Sequence, residues 1–253
     1  MVGTKVLLIY TGGTIGMIKD SETRALKPFD FEQIKKEVPE LNKFECEIDT
    51  FSFEHPLDSS NMKPDVWVRI AEIIEDKYAE YDGFVILHGS DTMAFTASAL
   101  SFMLHGLNKP VILTGSQLPI GTIRTDGKEN LITAIEIAAA KKANNPLVPE
   151  VAIYFEYNLY RGNRTTKVNS EDFEAFDSFN YPLLAEAGIK IKYNTRNILE
   201  LNTESRLNVF KKFDRNVASL KLFPGVTREF VSHFMKTPGL KAIILETFGS
   251  GNA

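Results

Sequence analysis

Three glycine-bearing turns in this sequence carry hydroxyls where they can do chemistry. The first is Thr11-Gly12-Gly13-Thr14-Ile15-Gly16. Its paired glycines permit a sharp turn and leave room for a small molecule beside Thr14. The second is His88-Gly89-Ser90-Asp91-Thr92, and the third is Thr114-Gly115-Ser116-Gln117. A hydroxyl is a weak nucleophile until a neighbouring base or hydrogen-bond relay activates it. Lys167, at the end of the basic stretch Arg161-Gly162-Asn163-Arg164-Thr165-Thr166-Lys167, is a candidate base. A lysine that loses its proton on burial can serve a hydroxyl in this way. Asp91 can hold an ammonium group. Backbone N–H groups at the helix start beyond Ser90 can stabilise an oxyanion.

Each residue also has a structural use. Thr14, Ser90 and Asp91 are good helix caps. Arginines and lysines usually sit in solvated turns. Taken alone, the first turn favours a capping role for Thr14. It is not a phosphate loop, because no Gly-Lys-Ser/Thr follows it. It is not a dinucleotide fingerprint either, because its glycines are adjacent rather than alternate. A Ser-His-Asp triad through His88 is disfavoured, since neighbours on a strand point to opposite faces and no Gly-X-Ser-X-Gly elbow occurs. His55, His105 and His233 lie near no motif. No His, Cys and carboxylate cluster has metal-ligand spacing, so no metal and no cofactor are expected.

These turns need strands to carry them. Val6–Ile9, Gly83–Leu87, Pro110–Leu113 and Val151–Phe155 are apolar runs of buried-strand type. Between them lie helical patterns: 30–38 with Asp30 as cap, Pro64 onward, 94–104 and 126–143. Phe44–Phe53 alternates like a strand. Residues 94–104 are apolar nearly all round, which predicts a helix sandwiched in the core. Alternating strands and helices predict an α/β fold with a mainly parallel sheet flanked by helices. Loops at the carboxyl edge of such a sheet are where ligands bind. The polar stretch 19–27 is a candidate flap over the first turn. Residues 193–215 are polar and aperiodic and form a linker between a large domain (1–192) and the start of a smaller α/β domain (216–253). That second part contains a strand, a helix and a strand, too little for a core of its own.

Composition narrows the setting. The 253 residues carry a net charge of −4, which gives no reason to expect nucleic-acid binding. Cys46 is the single cysteine, so an intrachain disulfide is impossible and a reducing compartment fits. No apolar run approaches the roughly 20 residues of a membrane span. A cytoplasmic protein is expected.

Taken together, the motifs resemble the bacterial L-asparaginase family, in its cytoplasmic type I branch. The likeness rests on the three turns, on Asp58-Ser59-Ser60-Asn61-Met62, on Tyr160 through Lys167, and on Gly249-Ser250-Gly251-Asn252-Ala253. It implies hydrolysis of L-asparagine to L-aspartate and ammonia without metal or cofactor, in a homodimer or homotetramer. Thr14 is then the attacking hydroxyl of an acyl-enzyme. Ser90, Asp91 and Lys167 form a second constellation, in which Lys167 sets the protonation of Ser90 and Asp91 binds the substrate amino group. Gly13, Asp58, Ser59, Ser60, Gly89 and Ser116 match substrate-binding positions. The neighbouring possibilities are a glutaminase or other ω-amidase, an ammonia-generating amidotransferase subunit, and a non-catalytic asparagine sensor. The short stretch before Val6 weighs against the amidotransferase subunit.

The chain departs from the family pattern at three places. Ser90 stands where Thr is usual. The flap neighbourhood Arg24-Ala25-Leu26-Lys27-Pro28 has no Tyr, so either Thr14 is activated from elsewhere, Tyr10 and the hydroxyl relay included, or activity is reduced. Glu246 stands where some type I enzymes place an allosteric arginine, so that regulation is not expected, although Thr166 matches such a site. On the same resemblance, the chain is expected to need the rest of the smaller domain and a neighbouring subunit for activity.

Overall fold

The computed structural model describes residues 3–19, 26–28 and 31–252. Asp30, the expected helix cap, lies outside the described residues, as do positions 20–25 of the expected flap and Ala253. The chain forms two compact units, Met1–Lys211 and Lys212–Ala253.

The first unit is built on four parallel apolar strands and an edge strand. They are β1 (Lys5–Gly12), β2 (Glu47–Leu57), β3 (Gly83–Leu87), β4 (Val111–Thr114) and β5 (Val151–Phe155). Three antiparallel additions follow: β6 (Asn158–Arg161) and the two-residue β7 (Ala185–Glu186) and β8 (Lys192–Tyr193). The spatial order is β8-β7-β6-β5-β4-β3-β1-β2. β3, β4 and β5 are buried at every residue. This is the burial expected of parallel strands covered on both faces.

Two cores lie on the two faces of the sheet. Val6, Leu8, Val85, Leu87 and Ile112 face helix α4 (Gly127–Ala139) through Leu131, Ala134, Ile135 and Ala138. Their alternate neighbours Leu7, Ile9, Phe84, Ile86 and Leu113 face α2 (Pro64–Lys77) and α3 (Met93–Met103). α1 (Phe31–Glu37) adds Ile34 to the first core. α2 begins at a proline, which suits a first turn whose N–H has no intrahelical partner.

Three sequence expectations are corrected. α3 is not sandwiched: Phe95 and Phe102 stand 66% and 69% exposed on its outer face. Its other apolar residues suffice to dock it, so uniform apolarity did not mean burial all round. α4 ends at Ala139 rather than 143, because Ala143 and Asn144 take positive φ and close a tight hairpin pairing Lys141–Lys142 with Asn145–Pro146. Residues 194–211 belong to the first unit, where Asn208–Val209 pair with Leu104–His105 beyond α3.

The second unit pairs two parallel strands, β9 (Val217–Lys221) and β10 (Ala242–Glu246), joined by α5 (Arg228–Met235). Thr227 caps α5 through its hydroxyl, which accepts from Phe230 N at 3.2 Å. Glu246 lies on β10, accepting a hydrogen bond from Ser219 Oγ at 3.1 Å.

Ile86 is fully buried in the middle of β3. Ile86→Ala is expected to lower unfolding free energy by about 2–5 kcal/mol in urea titrations, through lost burial and a residual cavity. A loss below about 1 kcal/mol would contradict the packing described.

Candidate active site

Parallel alignment puts the carboxyl ends of β1, β2, β3 and β4 on one edge of the sheet. Glycines let the loops leaving them press closely together. Gly13, at φ 90°, lies so close to Gly89 that a Cβ on it would sit 2.4 Å from Gly89 N. A Cβ on Gly89 would in turn meet Ser59 Oγ at 2.5 Å, and one on Gly115 would meet His88 O at 2.3 Å. Gly12, at φ 134°, packs against Leu57 in the same way, and Gly13 N donates to Leu57 O at 3.2 Å. Thr14 and Ser90 each directly follow a glycine of the same contact. Four turns meet here, one more than the three glycine turns, because the loop after β2 carries Asp58 and Ser59 into the cluster.

Thr14 opens a short 3-10 turn, Thr14–Gly16, and is half-buried. Gly16 N donates to Gly13 O at 3.3 Å. Tyr10 clamps this turn from below, its hydroxyl donating to Gly16 O at 2.9 Å. Burial pushes the Tyr10 phenol up to about 12, so it stays protonated. Tyr10 is thus a brace for the turn and is not available as a base for Thr14.

Ser90, Asp91 and Lys167 come together although 76 residues separate the last two. Lys167 Nζ donates to Ser90 Oγ at 2.9 Å and to Asp91 Oδ1 at 2.6 Å. The lysine side chain is only 14% exposed, whereas that of Asp91 is 64% exposed and open toward solvent. Lys167 is held by a two-residue pairing of Thr166–Lys167 with Phe176–Asp177. Of the basic stretch, Arg161 turns away: it forms a buried ion pair with Glu150 at 2.7 Å and lies over the Tyr181 ring at 4.2 Å. Arg161 therefore anchors the segment whose far end delivers Lys167.

Asp58 and its neighbours form a second polar group. The Asp58 carboxylate accepts from Ser60 N and Ser60 Oγ, both at 2.8 Å. The Ser60 amide, then the Ser60 hydroxyl, hold its pKa below the usual carboxylate range. Ser59 is buried, and its carbonyl accepts from Thr92 Oγ1 at 2.7 Å. Ser116 is buried too, with its hydroxyl turned onto Leu118 O.

Other supporting residues had been assigned no site role from sequence. Asp126 precedes α4 but does not cap it. Its carboxylate reaches back to Gln117 N at 2.8 Å and Leu118 N at 3.1 Å, pinning the loop after β4. Asn130, one helical turn on, donates to Gly115 O at 3.0 Å. The signal for this pair is two polar residues four apart on an otherwise apolar helix face. His88 is fully buried, with Nδ1 2.7 Å from Gly89 O and Nε2 2.8 Å from Thr96 Oγ1. Trp67 Nε1 donates to the same Thr96 oxygen at 2.9 Å. The hydroxyl proton of Thr96 therefore goes to Nε2, and Nδ1 carries the ring proton to Gly89 O. His88 shapes the floor of the site and takes no part in a triad. Among the described residues, no group of three or more His, Cys, Asp or Glu side chains is placed to hold a metal ion.

Residues 5–199 match the family model described as "Asparaginase, N-terminal". The chain belongs to the asparaginase family. It is 43% identical over 255 residues to "L-asparaginase 1" of Escherichia coli (strain K12), covering 98% of this chain and 72% of that protein. It is 40% identical over 269 residues to the "60 kDa lysophospholipase" of Mus musculus, covering 98% of this chain and 47% of that protein. Among solved structures, L-asparaginase I from Vibrio cholerae O1 biovar eltor superposes with a TM-score of 0.88 at 40% identity, covering 99% of this chain and 74% of that one.

His88 sets an acid limb of stability. Burial lowers its pKa to about 4, while an unfolded histidine titrates near 6.5. Between these values the unfolded chain binds the extra proton, so the stability His88 lends is full above about 6.5 and is lost as pH falls toward 4. Thermal melts from about pH 7 to 4 are expected to show a steeper fall for the parent than for His88→Asn. Identical slopes would refute the assignment.

Proposed function

We propose that this chain hydrolyses the side-chain amide of L-asparagine to L-aspartate and ammonia, with Thr14 as nucleophile. The observation that carries the reading is the Lys167–Ser90–Asp91 cluster set one backbone contact away from Thr14. Family membership and 43% identity to an L-asparaginase support it. The chain is accordingly an amidohydrolase.

Each group then has a task. The Thr14 hydroxyl attacks the amide carbon of the substrate. The carbonyl oxygen becomes an oxyanion, stabilised by backbone N–H groups at the turns carrying Ser90 and Ser116. Collapse breaks the C–N bond and leaves an aspartyl ester on Thr14 Oγ1. The proton given up by Thr14 leaves on ammonia, relayed by Ser90 and Lys167. Water then cleaves the ester, restoring the Thr14 hydroxyl. Asp58 and Asp91 hold the substrate α-ammonium, and Ser59, with Ser60 beside it, holds its α-carboxylate. Gly13 and Gly89 supply the close backbone approach. The polar groups thus answer both charges of a small zwitterion.

The setting follows from the same reading. The protein acts in the cytoplasm as a homodimer or homotetramer, without a nucleic-acid or membrane partner. The single cysteine is consistent with a reducing compartment. Among the described residues, no helix is long and apolar enough to cross a membrane.

Thr14→Ala is expected to cut ammonia release from asparagine by at least about 10,000-fold, the scale of losing a nucleophile. Asparagine binding, read by calorimetry, should persist. Parental turnover in this variant would refute the mechanism. A parent that binds asparagine without turnover would instead be a sensor, and faster turnover of glutamine would make it a glutaminase.

Asp58→Asn is expected to raise KM for asparagine by about 10- to 100-fold, the worth of a charge-assisted contact. Because the Asp58 carboxyl is held low, the KM ratio between Asp58→Asn and the parent should hold as pH falls through the ordinary carboxylate range near about 4 and narrow only below it. A ratio that narrows from about pH 5 downward would contradict this role.

A further inference from the structure

Gln117 joins the two halves of the cluster around Lys167. Its Nε2 donates to Asp172 O at 3.0 Å, and its Oε1 accepts from Ser90 Oγ at 3.3 Å. A carbonyl can only accept, so the NH2 end of the amide must face Asp172. That fixes the Gln117 oxygen toward Ser90 and directs the Ser90 hydroxyl proton at it. The lone pairs of Ser90 Oγ are then turned to Lys167 Nζ, 2.9 Å away.

Both ends of this bridge are braced. Asp126 accepts from the Gln117 backbone N–H at 2.8 Å. Asn169, two residues past Lys167, accepts from Glu171 N at 2.9 Å and donates to Asp172 Oδ2 at 2.6 Å. Serine needs such a partner. Its side chain has no β-branch, so its oxygen has three staggered positions to choose among. Nothing within residue 90 itself selects the one that meets Lys167.

We propose that Gln117 is a positioning residue for the reaction: it selects the Ser90 rotamer in which the hydroxyl accepts from Lys167. The inference rests on the reading of Ser90 and Lys167 as reaction groups. It assigns to hydrogen bonding a restraint that a β-branched residue would supply sterically.

The test is a double-mutant cycle in the full chain, with kcat and KM for asparagine as readouts and thermal melts to check folding. Gln117→Ala and the near-isosteric Gln117→Met are each expected to lower kcat about tenfold, equivalent to about 1.4 kcal/mol, with KM within about twofold. Ser90→Thr restores a restrained side chain. In that background, either substitution at 117 should cost no more than about twofold in kcat. Equal losses in the parental and Ser90→Thr backgrounds would overturn the proposal, as would full activity in Gln117→Met. Ser90→Ala separates the two layers. If it is inactive while the Gln117 variants turn over at the parental rate, the positioning role alone fails. If Ser90→Ala itself keeps the parental rate, the reading of Ser90 fails and takes the positioning role with it.

Discussion

The site depends on glycines that let neighbouring turns press together. Neighbouring parallel strands lie about 4.8 Å apart, and the turns leaving them normally carry side chains that hold them further apart. Here Gly13 lies on Gly89, Gly89 on Ser59, and Gly115 on His88, each too close for a Cβ. These contacts make neighbours of Thr14 and Ser90, which lie 76 positions apart in sequence. They also fix the loops to strands that are buried at nearly every residue. Sites supported in this way hold geometry better than sites on free loops.

Burial sets the protonation of the groups beneath this edge. His88 lies under the Gly89 turn, with burial holding it neutral. Tyr10 lies under the Thr14 turn, with burial keeping it protonated. Asp126 is pushed up by burial, against the pull of the Gln117 and Leu118 amides that it accepts from. Burying an unpaired charge costs several kcal/mol, so this layer is built of groups that are neutral or fully hydrogen-bonded. Lys167, Asp91 and Asp58 lie above it. A pocket floored by neutral, hydrogen-bonded groups and lined above by Lys167, Asp91 and Asp58 is suited to a small zwitterion, because those side chains are not spent on neutralising the floor.

How much of this was legible depended on where the signal lay in the chain. The strands from Val6, Gly83, Pro110 and Val151 were readable because each is a short apolar run bounded by turn residues. The mainly parallel sheet followed from their alternation with helices. α3 misled because composition cannot say which face of an apolar helix meets a neighbour, and Phe95 and Phe102 turned out to face outward. The hydroxyl turns were visible as motifs, but nothing local tells a capping Thr14 from a reacting one. Its partner Lys167 lies 153 residues away, as the numbering shows. The resemblance to a family linked them in sequence, and the fold links them in space. Gln117 and Asp126 were visible as letters without roles. Their work is done through hydrogen bonds to loops 55 and 9 residues distant, which no periodicity records.

The hydroxyls themselves sort into two kinds once their partners are known. Thr11 donates to Leu87 O, Thr92 to Ser59 O, Thr114 to Tyr154 O and Ser116 to Leu118 O. Each of these satisfies a carbonyl at a strand exit and so holds a turn in shape. Ser60 serves Asp58 in the same spirit, lowering a carboxylate pKa through its amide and hydroxyl. Ser90 differs: both its partners are side chains, and one of them is the amine of Lys167. A proton can pass between a hydroxyl and an amine, whereas a backbone carbonyl can only receive a hydrogen bond. Tyr10 is committed to Gly16, whereas Ser90, on the turn next to that of Thr14, carries the hydroxyl–amine contact. In the proposed reaction Thr14 and Ser90 belong to one relay, and the carbonyl-bound hydroxyls around them hold in shape the neighbouring turns that carry the two.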